Sequence, residues 1–289
     1  MCMLARIDRL RLAAAIYTAG VALGAVLGVV QASATEDVTN WDGDARSGVR
    51  IIAGARPADA PYLRAGVEIR LKRGWHTYWR YPGDAGVPPQ FSFDGSRNVK
   101  KVDVLWPAPE RMVDSGGASI GYSGGVIFPL HIVPQHASKP VSLHLRLQYA
   151  ICEKLCVPAE ARSELTLTSG RASQDAALTA AERRVPKRRH LGDGGDLAIR
   201  SLRREHGAND KERVVVDVAG PAGVDLFVEG PNQQWALPVP TPVAGAPAGL
   251  QRFVFDLDGA PSGASYRGAV LTLTAVAPGR SIEVATRLD

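Results

Sequence analysis

Two cysteines separated by three residues, Cys152 and Cys156 in the stretch "LQYAICEKLCVPAEA", are the side chains of this sequence best suited to chemistry. Such a pair can be a structural staple, a metal clip or a dithiol that trades electrons. In an extended strand their Cα atoms would stand about 13 Å apart at roughly 3.3 Å per residue, whereas a disulfide needs about 4.4 to 6.8 Å. The chain must therefore turn through Glu153, Lys154 and Leu155 if they are bonded, and Pro158 discourages a helical continuation. Closing so short a loop contributes only about 2 kcal/mol by chain entropy, at the low end of what disulfides supply. Short-range pairs are often exchangeable, and Lys154 is placed to favour a thiolate. A soft Cu(I) site is the third reading, with His131, His144 or Met112 joining the two thiolates. No Cys/His spacing here forms a zinc pattern, and on spacing alone the three readings stay open.

The N-terminus bears on the redox compartment. Arg6, Arg9 and Arg11 precede an apolar run from Leu12 to Val30, and Ala32 and Ala34 in "QASA" match a small-residue cleavage site. Residues 1–34 read as a secretory signal peptide rather than an anchor helix. Cleavage removes Cys2, which lies before the apolar run and not after it as in a lipoprotein. It also lowers the formal charge from +5 to +3, by the loss of three arginines and Asp8. So mild a balance gives no case for nucleic acid. No later apolar run approaches eighteen residues, so no stable membrane insertion is expected after cleavage, and export to an oxidising compartment makes paired or actively reduced thiols the rule.

The elements that must position the pair have strand periodicity. In "VSLHLRLQYAI", Val141, Leu143, Leu145, Leu147 and Tyr149 alternate with Ser142, His144, Arg146 and Gln148. The same alternation runs through "LRAGVEIRLKRGWHTYW", "VKKVDVLWP" and "GGVIFPLHIVP", the mark of half-buried antiparallel strands. Residues 171–194 change character: an alanine- and arginine-rich stretch from Ala172 to Lys187 suits one helix, and the basic cluster Arg183 to His190 reads as a solvated linker face. Strand patterning resumes over 195–289, without cysteine, in six short segments that suggest a second small β-sandwich.

Three blocks in order, "RLKRGWHTYWRYPGDAGVPPQFSF", "WPAPERMVDSGGASIGYSGGVIFPLHI" and "LQYAICEKLCVPAEARSELTL", resemble the N-terminal periplasmic domain of the DsbD thiol:disulfide interchange family, nearest its copper-tolerance-associated ScsB branch and stand-alone relatives. The resemblance covers roughly Gly48 to Ser169. It implies an all-β protein, with an immunoglobulin-like sandwich over 48–170 followed by the second sandwich. It further implies a periplasmic protein-disulfide reductase or exchange component that needs no cofactor and no bound metal. Its partners would be a thioredoxin-like or DsbD-like electron donor and oxidised periplasmic clients.

Carried over by position, Cys156 is the sulfur that forms mixed disulfides and Cys152 the one that resolves them. The family also shields its pair with a mobile cap loop, here matched by Asp114 to Gly124 with Tyr122 as its aromatic cover, and lines the site with aromatic residues where this chain has His76 and Tyr78. Trp75 and Trp79 are read as core. Better-known members separate the cysteines by five residues, not three, and carry a membrane conduit and a thioredoxin-like domain that this sequence lacks. The competing expectation is a non-catalytic binding module whose disulfide is structural.

Overall fold

Alternating apolar residues become strands along most of the chain. In the computed structural model, residues 36–83, 86–114, 117–168, 172–207 and 211–289 are described, and the expected signal peptide lies outside them. In chain order the first strands are β1 (Asp42–Gly43), β2 (Ser47–Ala53), β3 (Leu63–Leu71), β4 (His76–Gly83), β5 (Gln90–Ser92) and β6 (Val99–Val104). They are followed by β7 (Glu110–Asp114), β8 (Gly117–Ser123), β9 (Gly125–Pro134), β10 (Val141–Cys152) and β11 (Cys156–Leu167). Two sheets form from these, one in the order β1-β2-β3-β9-β6 and one in the order β11-β10-β4-β8-β7, with β5 added along β10.

The period of two decides which side chains face inward. On β10, Val141, Leu143, Leu145, Leu147, Tyr149 and Ile151 are buried, while Arg146 and Gln148 between them are exposed. Opposite stand Val49 and Ile51 of β2, Val67 and Ile69 of β3, and Phe128, Leu130 and Ile132 of β9. Each large apolar side chain removed from water contributes about 1.5–3 kcal/mol, so this interior, not the disulfide, holds the sandwich together. Two buried hydroxyls are satisfied across it: Tyr149 shares a 2.9 Å hydrogen bond with Ser47, and Tyr122 donates to the Pro107 carbonyl at 2.8 Å.

The stretch expected to be a connector with one helix packs through that helix, while the basic side chains from Arg183 to His190 are exposed, as expected of a solvated face. Helix α1 (Asp175–Arg183) buries Leu178 completely. That leucine fits because Gly54 and Gly66 have no side chain: a Cβ at either would come within 3.0 Å of its methyl groups. Arg64 clamps the helix from β3, bonding Asp175 at 2.7 Å and Glu182 at 2.6 Å. Strand β12 (Lys187–Arg189) follows and pairs in parallel with the last strand, so the second body begins before the expected residue 195. It continues with β13 (Ala198–His206), β14 (Glu212–Ala219), β15 (Asp225–Glu229), β16 (Thr241–Val243), β17 (Leu250–Asp256), β18 (Val270–Ala277) and β19 (Arg280–Arg287). These build two further sheets, β12-β19-β18-β15 and β13-β14-β17-β16.

The two sandwiches are in contact. Trp79 of β4 packs against Phe227 of β15 with ring centroids 6.0 Å apart, inside one apolar cluster that runs through both. Arg80 reaches Glu229 at 2.6 Å and Glu283 at 2.5 Å, Arg111 reaches Asp225 at 2.6 Å, and Tyr81 donates to the Leu237 carbonyl at 3.0 Å. The two carboxylates hold the Arg80 guanidinium well above its ordinary pKa, more than offsetting its burial.

Candidate functional site

Strands β10 and β11 form a long antiparallel hairpin whose last pair is Cys152 with Cys156. The three residues between them make the turn required by the spacing, bringing the Cα atoms to 4.2 Å, and the two sulfurs are bonded. The sulfurs differ in access: Cys152 is 3% exposed and Cys156 lies open at the surface. Glu153, Lys154 and Leu155 are all exposed, and Leu155, at 80%, presents a large apolar side chain to solvent beside the disulfide.

Cys152 sits on the outward face of its sheet, opposite His76 of β4. By the same alternation Tyr78 shares that face, and it forms a small buried cluster with Ala150 and Cys152, separate from the main core. The Tyr78 hydroxyl lies 2.8 Å from Cys152 Sγ and 3.1 Å from Cys156 Sγ. A disulfide sulfur can only accept, so the tyrosine donates to it. His76 meets the Tyr78 ring edge-on with centroids 5.5 Å apart. Below them Thr77 ties β4 to β10, its hydroxyl donating to the Ala150 carbonyl at 2.8 Å.

Tyr78 is held from outside by Gly86. A Cβ there would fall 2.6 Å from two ring carbons of Tyr78, so only glycine lets the chain lie this close. Val87 follows, 53% exposed, and with Pro88, Tyr149 and Pro158 it lines a shallow cavity of about 350 Å³. Neither Gly86 nor Val87 stood out in the sequence; the one available signal was the glycine-proline run "PGDAGVPP", which begins at the end of β4.

Tyr122 requires a correction. Most of the expected cap loop, Asp114 to Gly124, is strand β8, paired with β4 on one side and β7 on the other; residues 115–116 lie outside the described residues. Tyr122 pairs with Thr77, and that parity turns it inward, where it is 1% exposed and stands edge-on to Phe128. It therefore does not cover the disulfide, and burial pushes its pKa well up. The structure brings Cys152, Cys156, His76 and Tyr78 together and leaves Tyr122 in the core.

The Cu(I) donor set is not assembled either. His131 is on the other sheet, stacked on Tyr62 at 3.8 Å, and burial lowers its pKa. His144 pairs with Glu164 at 2.9 Å, well down the hairpin from the cysteines. Met112 lies over Gly121 and accepts from the Ser123 hydroxyl at 3.7 Å. Among the described residues no group of three or more His, Cys, Asp or Glu side chains is placed to hold a metal ion.

An immunoglobulin-like β-sandwich with a disulfide at the end of a hairpin defines the class: an all-β domain carrying a cysteine pair with one sulfur open to solvent. Residues 56–168 match the family model described as "Thiol:disulfide interchange protein DsbD, N-terminal", so this part of the chain is similar to that N-terminal domain. In fold, the chain is similar to the crystal structure of the N-terminal periplasmic domain of ScsB from Proteus mirabilis. The TM-score is 0.68 at 20% identity, over 88% of this chain and 99% of that one. No curated protein matches it in sequence. Among the described residues no helix is long and apolar enough to cross a membrane.

Proposed function

We propose that this is a periplasmic thiol:disulfide interchange protein that relays electron pairs through Cys152 and Cys156, from a thioredoxin-like or membrane-linked donor to oxidised periplasmic proteins. The observation that carries the reading is the asymmetry of the pair: an open Cys156, a buried Cys152, and the Tyr78 hydroxyl within hydrogen-bonding distance of both sulfurs. The match to the interchange family and the signal-peptide pattern of residues 1–34 support the compartment and the kind of partner.

In the reductive half, a partner thiolate attacks Cys156 Sγ, the sulfur in reach. A new bond forms between the partner and Cys156, the Cys152–Cys156 bond breaks, and its electron pair leaves on Cys152. A lower-pKa leaving thiol leaves faster, and the Tyr78 hydroxyl stabilises the departing thiolate with a charge-assisted bond. The partner's second thiolate then attacks the partner sulfur of the mixed disulfide and frees Cys156. In the oxidative half, the Cys156 thiolate attacks a client disulfide, and Cys152 attacks Cys156 to release the reduced client and restore the bond. Two electrons enter and two leave.

Leu155 and Val87 give an incoming partner apolar surface beside the reacting sulfur. A redox titration against glutathione tests the reading. An exchangeable pair equilibrates above about −300 mV; a value well below that marks a structural bond and removes the relay.

A further inference from the structure

The basic run Arg183 to His190 is divided by the fold. Arg183 ends α1, and Lys187 and Arg189 stand on one face of β12, where they border a cavity of about 440 Å³. Arg280, at the start of β19 and ninety-one residues beyond Arg189, borders the same cavity, so this concentration of charge is built by the fold and not by the run alone. Arg188, on the alternate face of β12, is not among its walls, and His190 turns away to Asp193.

Several arginines elsewhere in the fold are neutralised by carboxylates. Arg50, Arg64, Arg80, Arg111, Arg213 and Arg252 each bond a carboxylate at 2.7 Å or less. Among the described residues, Arg183, Lys187 and Arg189 have no ion-pair partner, and Arg280 has only Asp196, at 3.4 Å and 87% exposed. Gly194 and Gly195 also border the cavity, and a Cβ at either would meet nothing within 4 Å. Asp196 also borders the cavity, so its walls carry four cations against one carboxylate; a cleft with such a basic excess concentrates anions, and a volume of this size lies within the range of small-ligand sites.

We propose that this cavity binds a compact oxyanion of the phosphate class carrying at least two charges, held by Arg183, Lys187, Arg189 and Arg280. A single charge would leave most of the cluster uncompensated, whereas a phosphate or diphosphate group matches the flat guanidinium forks and the lysine together. Such a group can come from a soluble phosphate or from an anionic lipid headgroup.

Calorimetric titration of the full chain with inorganic pyrophosphate is the direct test, with co-sedimentation on phosphatidylglycerol and phosphatidylcholine vesicles as the second arm. Saturable one-site binding is expected, weakened about tenfold by Lys187→Gln or Arg189→Gln, since a charged hydrogen bond contributes about 1.5–3 kcal/mol. Arg188→Gln, on the other strand face, should leave it unchanged. Phosphatidylglycerol-selective binding that pyrophosphate displaces assigns the site to a headgroup; pyrophosphate binding without vesicle binding assigns it to a free anion. Absence of saturable binding in both arms overturns the proposal. So does an equal loss in Arg188→Gln, or vesicle binding that pyrophosphate does not displace, because either result means diffuse surface charge. Unfolding midpoints of the three variants, each of an exposed side chain, confirm that they are folded.

Discussion

The Tyr78 hydroxyl donates to Cys152 Sγ at 2.8 Å from a strand that also pairs with the cysteine's own strand, so the tyrosine and the buried sulfur are fixed relative to each other by backbone hydrogen bonds. Tyr78→Phe removes that donor and keeps the ring. The bond is worth more to a thiolate than to a disulfide, about 1.5–3 against about 0.5–1.5 kcal/mol, so the reduced form loses more, by about 1 kcal/mol. The reduction potential should fall by about 20 mV and reduction by a dithiol should slow about fivefold. An unchanged potential would show that the hydroxyl does not act on the couple.

Gly86 holds the ring from the other side. Gly86→Ala places a methyl group 2.6 Å from the ring carbons, which forces the tyrosine or the segment to move. The same direction of change in potential is expected as for Tyr78→Phe. In a Tyr78→Phe background Gly86→Ala should add little, because the hydroxyl it displaces is gone. Additive effects in the double variant would count against this coupling.

Arg80 is the central ion of the seam between the sandwiches. Arg80→Met leaves Glu229 and Glu283 facing each other without a cation, and breaking a largely buried pair in this way costs about 3 kcal/mol. Thermal unfolding should shift down by several degrees. An unshifted midpoint would mean that the seam is held by its other contacts, the Trp79–Phe227 packing, the Arg111–Asp225 pair and the Tyr81 hydrogen bond.

Asp217 gives an acid limb to stability. Its carboxylate is buried, and the hydrogen bonds from Arg252 and Arg203 hold its pKa below the ordinary value against the opposing effect of burial. A group with a depressed folded pKa stabilises the fold above its unfolded pKa and loses that contribution as pH falls through the folded value. The wild type should therefore weaken below about pH 4, and part of that slope should vanish in Asp217→Asn, measured by urea unfolding at stepped pH. Parallel slopes would contradict the assignment.

The fold was legible because its strands are half-buried and alternate cleanly: the inward set of β10 reads directly from "VSLHLRLQYAI". The turn between the cysteines was legible from distance alone. Tyr122 was not, since its direction depends on its register with Thr77, and register between β8 and β4 is a long-range property. Gly86 was hidden for a related reason, as its role comes from a contact with the ring of Tyr78, eight residues earlier in the chain. The basic run looked like a linker because its partner charge, Arg280, and the strand beside it lie some ninety residues away.

Covalent trapping tests the relay most directly. Cys152→Ala and Cys156→Ala variants, exported and recovered after acid quench of free thiols, are compared on non-reducing gels for mixed disulfides. Cys152→Ala should retain partners through the open Cys156, which can attack but not be resolved, and Cys156→Ala should retain few or none. Partners held only by Cys156→Ala, or by neither variant, would contradict the assignment of Cys156 as the exchanging sulfur.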